Sequence, residues 1–233
     1  MEKQGTYIYE WPRPAVTTDC VIFGFDGGDL KILLIERGIE PYKGMWALPG
    51  GFLDMNEDAE TCARRKLQQE TCLENIFMEQ LFTFSSVDRD PRYRVISIAY
   101  YALVKLSDYE AKAGTDTTSI KWFPLSEIPE LAFDHKEIVK IAIERLKGKI
   151  KYQPIGFELL PERFTIPELH QLYETVLQTT LDRRNFRKKM LSFGLLVDEN
   201  ELASGAPHRA PKIYSFNKEK YEKLSKEGFY FEI

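Results

Sequence analysis

The sequence predicts an α/β domain with a mixed sheet, followed by a smaller winged helix-turn-helix domain, and two observations support this fold class. In residues 1–150, strand-like segments come first and in pairs, with helical segments inserted, which is typical of a mixed sheet flanked by helices. In residues 151–233 the order is helix, short turn, helix and hairpin, as in a winged helix-turn-helix. Residues 147–157 carry Gly, Pro and Lys and are the predicted connection, short enough to be fixed.

The first domain should begin with a hairpin. Residues 15–25 and 30–36 are rich in β-branched and apolar side chains, and Asp26-Gly-Gly-Asp29 between them suits a tight turn. A helix is predicted from about Asn56 to Thr71, where Asp54 and Glu57 have capping-box spacing. The remaining predicted elements are strands at 76–86, 95–104 and 120–123 and a helix ending near Leu146.

Composition excludes several classes of protein. With 43% hydrophobic and 29% charged residues, wholesale disorder and collagen-like sequence are excluded. Apolar runs are too short for a membrane span, and the N-terminal residues lack the features of a secretory signal. Cys20, Cys62 and Cys72 are an odd and sparse set, so we expect reduced thiols and a cytoplasmic protein.

The charge is unevenly distributed. The whole chain has a net charge of −4, yet residues 151–233 hold 13 basic against 12 acidic residues. Five basic residues of this part fall within seven positions: Arg183, Arg184, Arg187, Lys188 and Lys189. Local field, rather than overall charge, determines whether a surface attracts phosphate.

The helices of the second domain have clear boundaries. Thr165 is a predicted N-cap with Pro167 in the first helical turn. A second helix runs from about Asp182 to Phe193 and ends before Gly194, a residue suited to the left-handed position after a helix. Two short extended runs then form the predicted wing, 195–198 and 212–216.

The second helix is the predicted DNA-reading element. Phe186, Met190 and Phe193 form an apolar stripe at helical spacing, which places the basic side chains on the other side. Arginine can make a bidentate contact to the major-groove edge of guanine, and asparagine can do the same with adenine. The candidate DNA-binding residues are therefore Arg183, Arg184, Asn185, Arg187 and Lys188 on the helix and His208, Arg209 and Lys212 on the wing. The alternative is a solvated basic face without a partner.

One segment of the first domain resembles the Nudix box. Gly51, Glu57 and Arg65 match the family spacing of Gly, five residues, Glu, seven residues, Arg. The remaining matches are Leu67, Glu70 and Leu73, preceded by Leu48-Pro-Gly-Gly51. The resemblance implies a Nudix α/β/α sandwich over roughly residues 10–148. Nudix enzymes hydrolyse nucleoside diphosphates linked to another group, using Mg²⁺ held by helix carboxylates.

Three departures from the box bear on function. The family's glutamates are replaced by Lys66 and Gln69, and its glycine by Cys72. Magnesium prefers anionic oxygen ligands, and Lys66 would repel it or pair with Glu70 four residues on. We therefore expect no metal site, no cofactor, no catalytic residue and no enzyme activity. Glu57, Arg65 and Glu70 would then hold the loop and helix together, with residual catalysis as the alternative.

A Nudix domain without metal ligands still has a cleft that can bind a small molecule. The charged run at 88–92 contributes Asp88, Arg89 and Asp90, since such side chains make bidentate contacts to hydroxyls or phosphate. Other candidates by position are Asp19, Lys43, Gly50, Gly51 and Phe52. The alternative for the charged run is a solvated loop with internal ion pairs.

Residues 10–225 as a whole resemble the Nudix-related transcriptional regulators of the NrtR family. The resemblance is carried by Phe157-Glu-Leu-Leu-Pro161, Phe164-Thr-Ile-Pro-Glu-Leu169, Leu181-Asp-Arg-Arg-Asn-Phe-Arg187, Asp88-Arg-Asp-Pro-Arg92 and Val95-Ile-Ser-Ile-Ala99. It implies a homodimer that binds palindromic double-stranded operator DNA and senses a metabolite, either ADP-ribose or a pentose. The lost carboxylates favour the sugar branch, such as the L-arabinose-responsive regulator AraR and carbohydrate metabolism.

Three functions therefore compete. The first is a ligand-responsive transcriptional regulator whose effector shifts dimers between DNA-competent and incompetent states. The second is a Mg²⁺-dependent Nudix pyrophosphohydrolase of a nucleoside diphosphate derivative with an appended module. The third is an interaction protein whose second domain docks on a partner other than DNA. The first agrees best with the damaged Nudix box and the basic helix, and it needs no membrane.

Overall fold

The computed structural model describes residues 10–74, 76–106, 112–113, 117–203 and 210–233. The first domain contains β1 (Ala15–Phe25), β2 (Leu30–Arg37), β3 (Trp46–Ala47), β4 (Gly50–Phe52), α1 (Ala59–Thr71), β5 (Glu79–Phe84), β6 (Val95–Lys105), β7 (Thr117–Pro124) and α2 (His135–Tyr152). The second contains β8 (Arg163–Thr165), α3 (Ile166–Leu177), α4 (Arg183–Ser192), β9 (Leu196–Leu202), β10 (Lys212–Phe216) and α5 (Lys218–Lys226).

The sheet of the first domain is mixed, as predicted. Strand β1 runs parallel to β6 and antiparallel to β2 and β4, and the order across the sheet is β3-β2-β1-β6-β5, with β7 also paired to β2. Alternate residues of a strand face opposite sides of a sheet. Cys20 and Ile22 accordingly pack with α1, whereas Val21 and Phe23 pack in the cluster that includes α2. The domain is therefore an α/β/α sandwich.

The start of α1 differs from the prediction. The helix begins at Ala59, and its N-cap is Asp58, whose carboxylate accepts the Thr61 amide at 2.8 Å. Asp54 and Glu57 do not cap it. Glu57 Oε1 instead accepts the Asp54 amide at 2.9 Å inside the preceding loop. The pair with capping-box spacing therefore stabilises the loop before the helix, and the helix begins three residues later than predicted.

The other element ends shift by a few residues. Strand β5 is shorter than the predicted strand at 76–86, β7 is longer than the strand at 120–123, and α2 continues past Leu146 to Tyr152. The predicted boundary between residues 150 and 151 thus falls in the last turn of α2 and stays a prediction. None of the helices in the described part of the chain is long and apolar enough to cross a bilayer.

The second domain has the predicted winged-helix order. The predicted N-cap Thr165 is confirmed and forms a capping box: its hydroxyl accepts the Glu168 amide, and the Glu168 carboxylate accepts the Thr165 amide at 2.6 Å. Gly194 after α4 has a φ of 65°, as predicted. Strands β9 and β10 form the hairpin, with β8 added beyond β10.

The two domains share one continuous hydrophobic core. Leu169, Leu172 and Tyr173 of α3 are buried in the same cluster as Phe23 of β1 and Ile138 of α2. The connection at 147–157 is therefore a packed junction, mostly helical, rather than a loose tether.

The left-handed residue at the end of α1 provides a stability test. Cys72 has a φ of 58°, which costs a residue with a Cβ about 1 kcal/mol or more. Because glycine adopts this conformation freely, Cys72→Gly should raise the free energy of unfolding in urea by about 0.5–1 kcal/mol. Cys72→Ala is the matched control, since alanine keeps the strain. Equal stability of the glycine and alanine variants would contradict the prediction.

Candidate functional site

A cleft opens where the β1–β4 pairing meets the N-terminal end of α2. The residues that line this cleft are Thr17, Asp19, Ile35, Arg37, Ile39, Leu48, Gly50, Gly51, Phe52, Lys66, Glu70, Arg89, Asp90, Arg92, Phe133 and His135. Charged and aromatic groups thus meet around a glycine-containing strand.

A buried ion network forms the floor of this cleft. Asp19 on β1 accepts hydrogen bonds from the Ser97 hydroxyl and, at 3.4 Å, from Arg89 Nη2. Arg89 also makes a bidentate contact to Asp134, with distances of 2.7 and 2.9 Å. Arg89 is buried, pairs with residues outside the charged run and lines the cleft, so the alternative of a solvated loop with internal ion pairs does not describe it.

His135 connects the start of α2 to the glycine-containing loop. The Leu48 amide donates to His135 Nδ1 at 2.9 Å, so the proton of the neutral ring lies on Nε2. Nε2 faces Asp19 Oδ1 at 3.5 Å. Burial lowers the pKa of His135, which keeps the ring neutral. The contact fixes the position of α2 relative to the cleft.

Glu70 of α1 is half-buried beside the loop and accepts the Gly50 amide at 2.8 Å. Burial raises the pKa of Glu70 to about 7. No ion pair within 4.0 Å joins Glu70 to Lys66 among the described residues, although the lysine charge lowers the Glu70 pKa somewhat against the effect of burial. Gly50 has no room for a side chain, because a Cβ there would lie 2.2 Å from the Thr18 carbonyl oxygen.

Glu57 has a structural partner. Arg65 donates to both of its carboxylate oxygens, and Arg65 Nη2 also contacts the Phe52 carbonyl at 3.2 Å. The Arg65 hydrogen bonds lower the pKa of Glu57 to about 2. This arrangement agrees with the interpretation that Glu57 and Arg65 hold the loop and the helix together.

Aromatic rings flank the cations on the open side of the cleft. The Arg92 guanidinium pairs with Asp90 at 2.7 Å and lies 5.3, 5.4 and 5.7 Å from the ring centres of Phe52, Tyr93 and Phe133. Arg37 lies 4.8 Å from the Phe133 ring centre and donates to the Pro41 carbonyl. Rings beside cations form a surface for a flat or anionic ligand.

The structure brings most of the predicted cleft residues together. Asp19, Gly50, Gly51, Phe52, Arg89 and Asp90 line the cleft, whereas Lys43 and Asp88 do not line it and are exposed. Sequence reasoning missed Arg37, Arg92, Phe133 and His135 as lining residues. No spacing signal relates Phe133-Asp-His135 to the Nudix box, so the sequence gives no reason to place these residues in the cleft.

The predicted DNA-binding residues of α4 form one exposed surface. Arg183, Arg184, Asn185, Arg187 and Lys188 are exposed, while Phe186 and Met190 are buried. Asp182 caps the helix by accepting the Asn185 amide at 2.8 Å. On the wing, Lys212 is exposed but paired with Asp198 at 2.5 Å. His208 and Arg209 lie outside the described residues.

The turn between α3 and α4 is braced by a buried histidine. His170 Nε2 donates to the Leu181 carbonyl at 2.9 Å, and its ring packs edge-on against Phe186. Glu174 accepts the Leu181 amide at 2.8 Å. These contacts hold α4 firmly on α3 with its basic side outward.

Comparison with known proteins identifies both parts of the chain. Residues 13–141 match the NUDIX domain, and residues 156–216 match the NrtR DNA-binding winged helix domain. The chain is 35% identical over 217 residues to the "ADPR responsive transcriptional repressor NtrR" of Acinetobacter baylyi, with 91% of this chain and 86% of that protein covered. The chain belongs to the NrtR family. Its fold is accordingly the Nudix sandwich with a C-terminal winged helix that the resemblance implied.

Further relatives match the whole NrtR-type chain or its Nudix part. NrtR of Shewanella oneidensis in complex with a 27mer DNA is 30% identical, with 93% and 97% of the two chains covered and a TM-score of 0.73. The NUDIX domain of that protein in complex with ADP ribose is 34% identical and covers 58% of this chain and 90% of that one, with a TM-score of 0.55. The ADP-ribose pyrophosphatase of Methanocaldococcus jannaschii is 42% identical over 140 residues, 60% of this chain and 77% of that protein.

The raised pKa of Glu70 predicts a pH-dependent stability. Because its pKa is about 7 in the folded state against a usual 4.5, the folded state holds the proton more tightly. Stability should therefore fall as pH rises from about 4.5 to 7. Glu70→Gln keeps an acceptor for the Gly50 amide without the titration. The free energy of unfolding of the glutamine variant, relative to the wild type, should rise by up to about 3 kcal/mol between pH 5 and pH 8.

Urea titrations of both proteins at the two pH values measure this difference. A difference that does not change with pH would mean that Glu70 titrates alike in the folded and unfolded states, and would contradict its burial.

Proposed function

We propose that this chain is a transcriptional repressor that binds operator DNA through α4 and is controlled by ADP-ribose bound in the Nudix cleft. The observation that carries the proposal is the combination, in one chain, of a basic winged helix and a cleft lined by cations and aromatic rings around Gly50–Phe52. The proposal makes the chain a regulator rather than an enzyme.

The exposed face of α4 suits readout in the major groove. Arg183, Arg184 and Asn185 stand in its first turn, where recognition helices contact base edges. Arginine forks fit guanine and an asparagine fits adenine, while Arg187 and Lys188 would contact phosphates and fix the register. The wing positions His208, Arg209 and Lys212 complete the proposed surface, with Lys212 first released from Asp198.

ADP-ribose is preferred over a sugar as the effector for two reasons. Relatives of this chain respond to, bind or hydrolyse ADP-ribose according to their names, and none of the relatives described above points to arabinose. The cleft also offers Arg37 and Lys66 for a diphosphate and the rings of Phe52 and Phe133 for a base or ribose. The sugar was preferred because the metal ligands that would hold a diphosphate are lost. Arg37 and Lys66 offer positive charge for a diphosphate without a metal, so that reason no longer favours a sugar.

A homodimer belongs to the same proposal. Winged-helix regulators commonly bind two half-sites related by symmetry, so that the symmetry of the operator mirrors that of the dimer. Two copies of α4 held at a fixed spacing would read a palindrome that one copy could not. A repressor acts where the chromosome lies, so the cytoplasmic location expected from the sequence is part of this proposal as well.

Helix α2 offers a direct route from the effector to the DNA. Its first residue, His135, lines the cleft, and near its other end Lys147 Nζ donates to Gln178 Oε1 at 2.8 Å, just after α3. At about 1.5 Å per residue, its 18 residues span about 27 Å. A ligand that moved the start of α2 would therefore move the winged helix, provided that it binds the two states with different affinity.

A Mg²⁺-dependent hydrolase of ADP-ribose is the second candidate. The identity of 42% to an ADP-ribose pyrophosphatase favours it. Against it stand Lys66 and Gln69 in place of carboxylates and the engagement of Glu57 by Arg65. Turnover of ADP-ribose that requires Mg²⁺ and disappears in Glu70→Gln would establish this function.

The repressor proposal predicts separable DNA and effector binding. Fluorescence anisotropy would measure affinity for DNA fragments from the protein's own gene neighbourhood, without ligand and with ADP-ribose or L-arabinose. Arg183→Ala or Arg184→Ala should weaken binding to the preferred fragment by about 5- to 150-fold while leaving ADP-ribose affinity unchanged. Lys223→Ala, an exposed basic residue on α5, is the matched control.

Three outcomes would contradict the proposal. Absence of fragment-selective binding under all conditions would remove the regulator. Loss of ADP-ribose binding in the arginine variants would reject the separation of the two sites. A response to L-arabinose but not to ADP-ribose would restore the sugar as effector.

A further inference from the structure

The residues at the usual metal position of the Nudix fold do not suit a divalent cation here. Gln69 offers only a neutral carbonyl oxygen, and Arg65 Nη1 already donates to it at 3.3 Å. Glu57 is held by the same arginine and Glu70 by the Gly50 amide. Among the residues that the structure describes, no group of three or more His, Cys, Asp or Glu side chains is placed to hold a metal ion.

Lys66 lies where it can act on a ligand. Its side chain crosses the face of Gly51: a Cβ built on that glycine would lie 2.6 Å from Lys66 Cε and 3.1 Å from Nζ. Lys66 lines the cleft, and within the described part of the chain no carboxylate lies within 4.0 Å of its ammonium group. The glycine thus leaves space that the lysine fills.

We propose that the Lys66 ammonium replaces the divalent cation in this cleft, so that a diphosphate ligand binds without metal. The inference rests on the proposed function in taking ADP-ribose as that ligand. In this inference Lys66 does more than remove a metal-binding carboxylate: its ammonium group itself binds the ligand.

The charges of the cleft support this role. Arg89 and Arg92 are each balanced by aspartates, Arg89 by Asp19 and Asp134 and Arg92 by Asp90. Arg37 and Lys66 are the cleft cations that lack such a partner within 4.0 Å among the described residues. A diphosphate diester carries two negative charges, which these two cations match.

The ammonium also differs from a metal ion in what it can do. It donates three hydrogen bonds and carries a single charge on a flexible stem. It therefore holds phosphate oxygens without the strong polarisation and water activation that a divalent ion supplies. A cleft in which Lys66 replaces the ion therefore still recognises a diphosphate but does not activate water to hydrolyse it.

The test is isothermal titration calorimetry with ADP-ribose and with inorganic pyrophosphate, each in EDTA and in excess Mg²⁺. The wild type should bind both ligands in EDTA, with affinities within about twofold of those in Mg²⁺. Lys66→Gln should bind at least about tenfold more weakly in EDTA, because a charge-assisted hydrogen bond is lost. Lys66→Glu should bind more weakly still in EDTA and recover part of its affinity in Mg²⁺.

Two further variants keep the test decisive. Lys140→Gln removes an exposed lysine of α2 outside the cleft and should bind like the wild type. Gly51→Ala keeps the lysine charge but forces the side chain from its place, and it should weaken binding in EDTA as well. Gly51→Ala therefore tests the role of Lys66 even if substitution of Lys66 itself prevents folding, which circular dichroism would reveal.

The two ligands separate this inference from the proposed function. Tight binding of ADP-ribose only when Mg²⁺ is present, or unchanged binding by Lys66→Gln, would overturn the role of Lys66 and leave ADP-ribose as the effector. Binding of pyrophosphate in EDTA that depends on Lys66, without binding of ADP-ribose, would support the inference and reject the effector. Failure of the wild type to bind either ligand would overturn both.

Discussion

The buried carboxylate of Asp19 is the constraint around which the cleft is organised. It lies on the central strand β1, where a carboxylate removed from water is costly unless charge and hydrogen bonds compensate it. Compensation comes from three separate elements: the Ser97 hydroxyl on β6, the Arg89 guanidinium, and the Nε2 proton of His135 at the start of α2. Two of these partners are fixed in turn, Arg89 by Asp134 and His135 by the Leu48 amide. One buried charge thereby aligns the charged loop, the glycine-containing loop and the first turn of α2, and so shapes the wall of the cleft.

Both ends of α2 are anchored, so this helix connects the cleft to the winged helix as well as packing on the sheet. Beyond the cleft, Lys149 pairs with Glu79 of β5 and donates to the Tyr101 hydroxyl at 3.1 Å. The Ile233 amide donates to the Lys151 carbonyl at 3.0 Å, and Phe231 is buried in the shared core. A winged helix packed in this way cannot turn independently of the Nudix domain without breaking apolar contacts. A change in its position on effector binding would therefore be a concerted movement of packed elements, which suits a switch between two discrete arrangements.

Much of the fold could be predicted because the signals were local. The mixed sheet followed from paired apolar segments, the N-cap Thr165 from its residue type before a helical pattern, and the left-handed Gly194 from its place after one. The start of α1 was predicted about three residues too early, because Asp54 and Glu57 have capping-box spacing but make their contact inside the preceding loop, while Asp58 caps the helix. The cleft was half predicted. Asp19 and Gly50 were found by their position in the domain and Arg89 by its charged run, whereas Arg37, Phe133 and His135 reach the cleft through long-range packing that no local pattern records. Lys43 and Asp88 were included for their charge and proximity in sequence, which do not fix where a side chain lies.

The thiol at the end of α1 has a practical use. Cys20 and Cys62 are buried, and burial raises their pKa values, so both should react slowly with electrophiles, since the thiolate is the reactive form. Cys72 is exposed and lies at the end of the helix that carries Lys66 and Glu70. A maleimide dye would therefore attach at one position without any engineered cysteine. The natural sequence thus provides a fluorescent reporter on the helix beneath the cleft, through which occupancy of the cleft could be followed in real time.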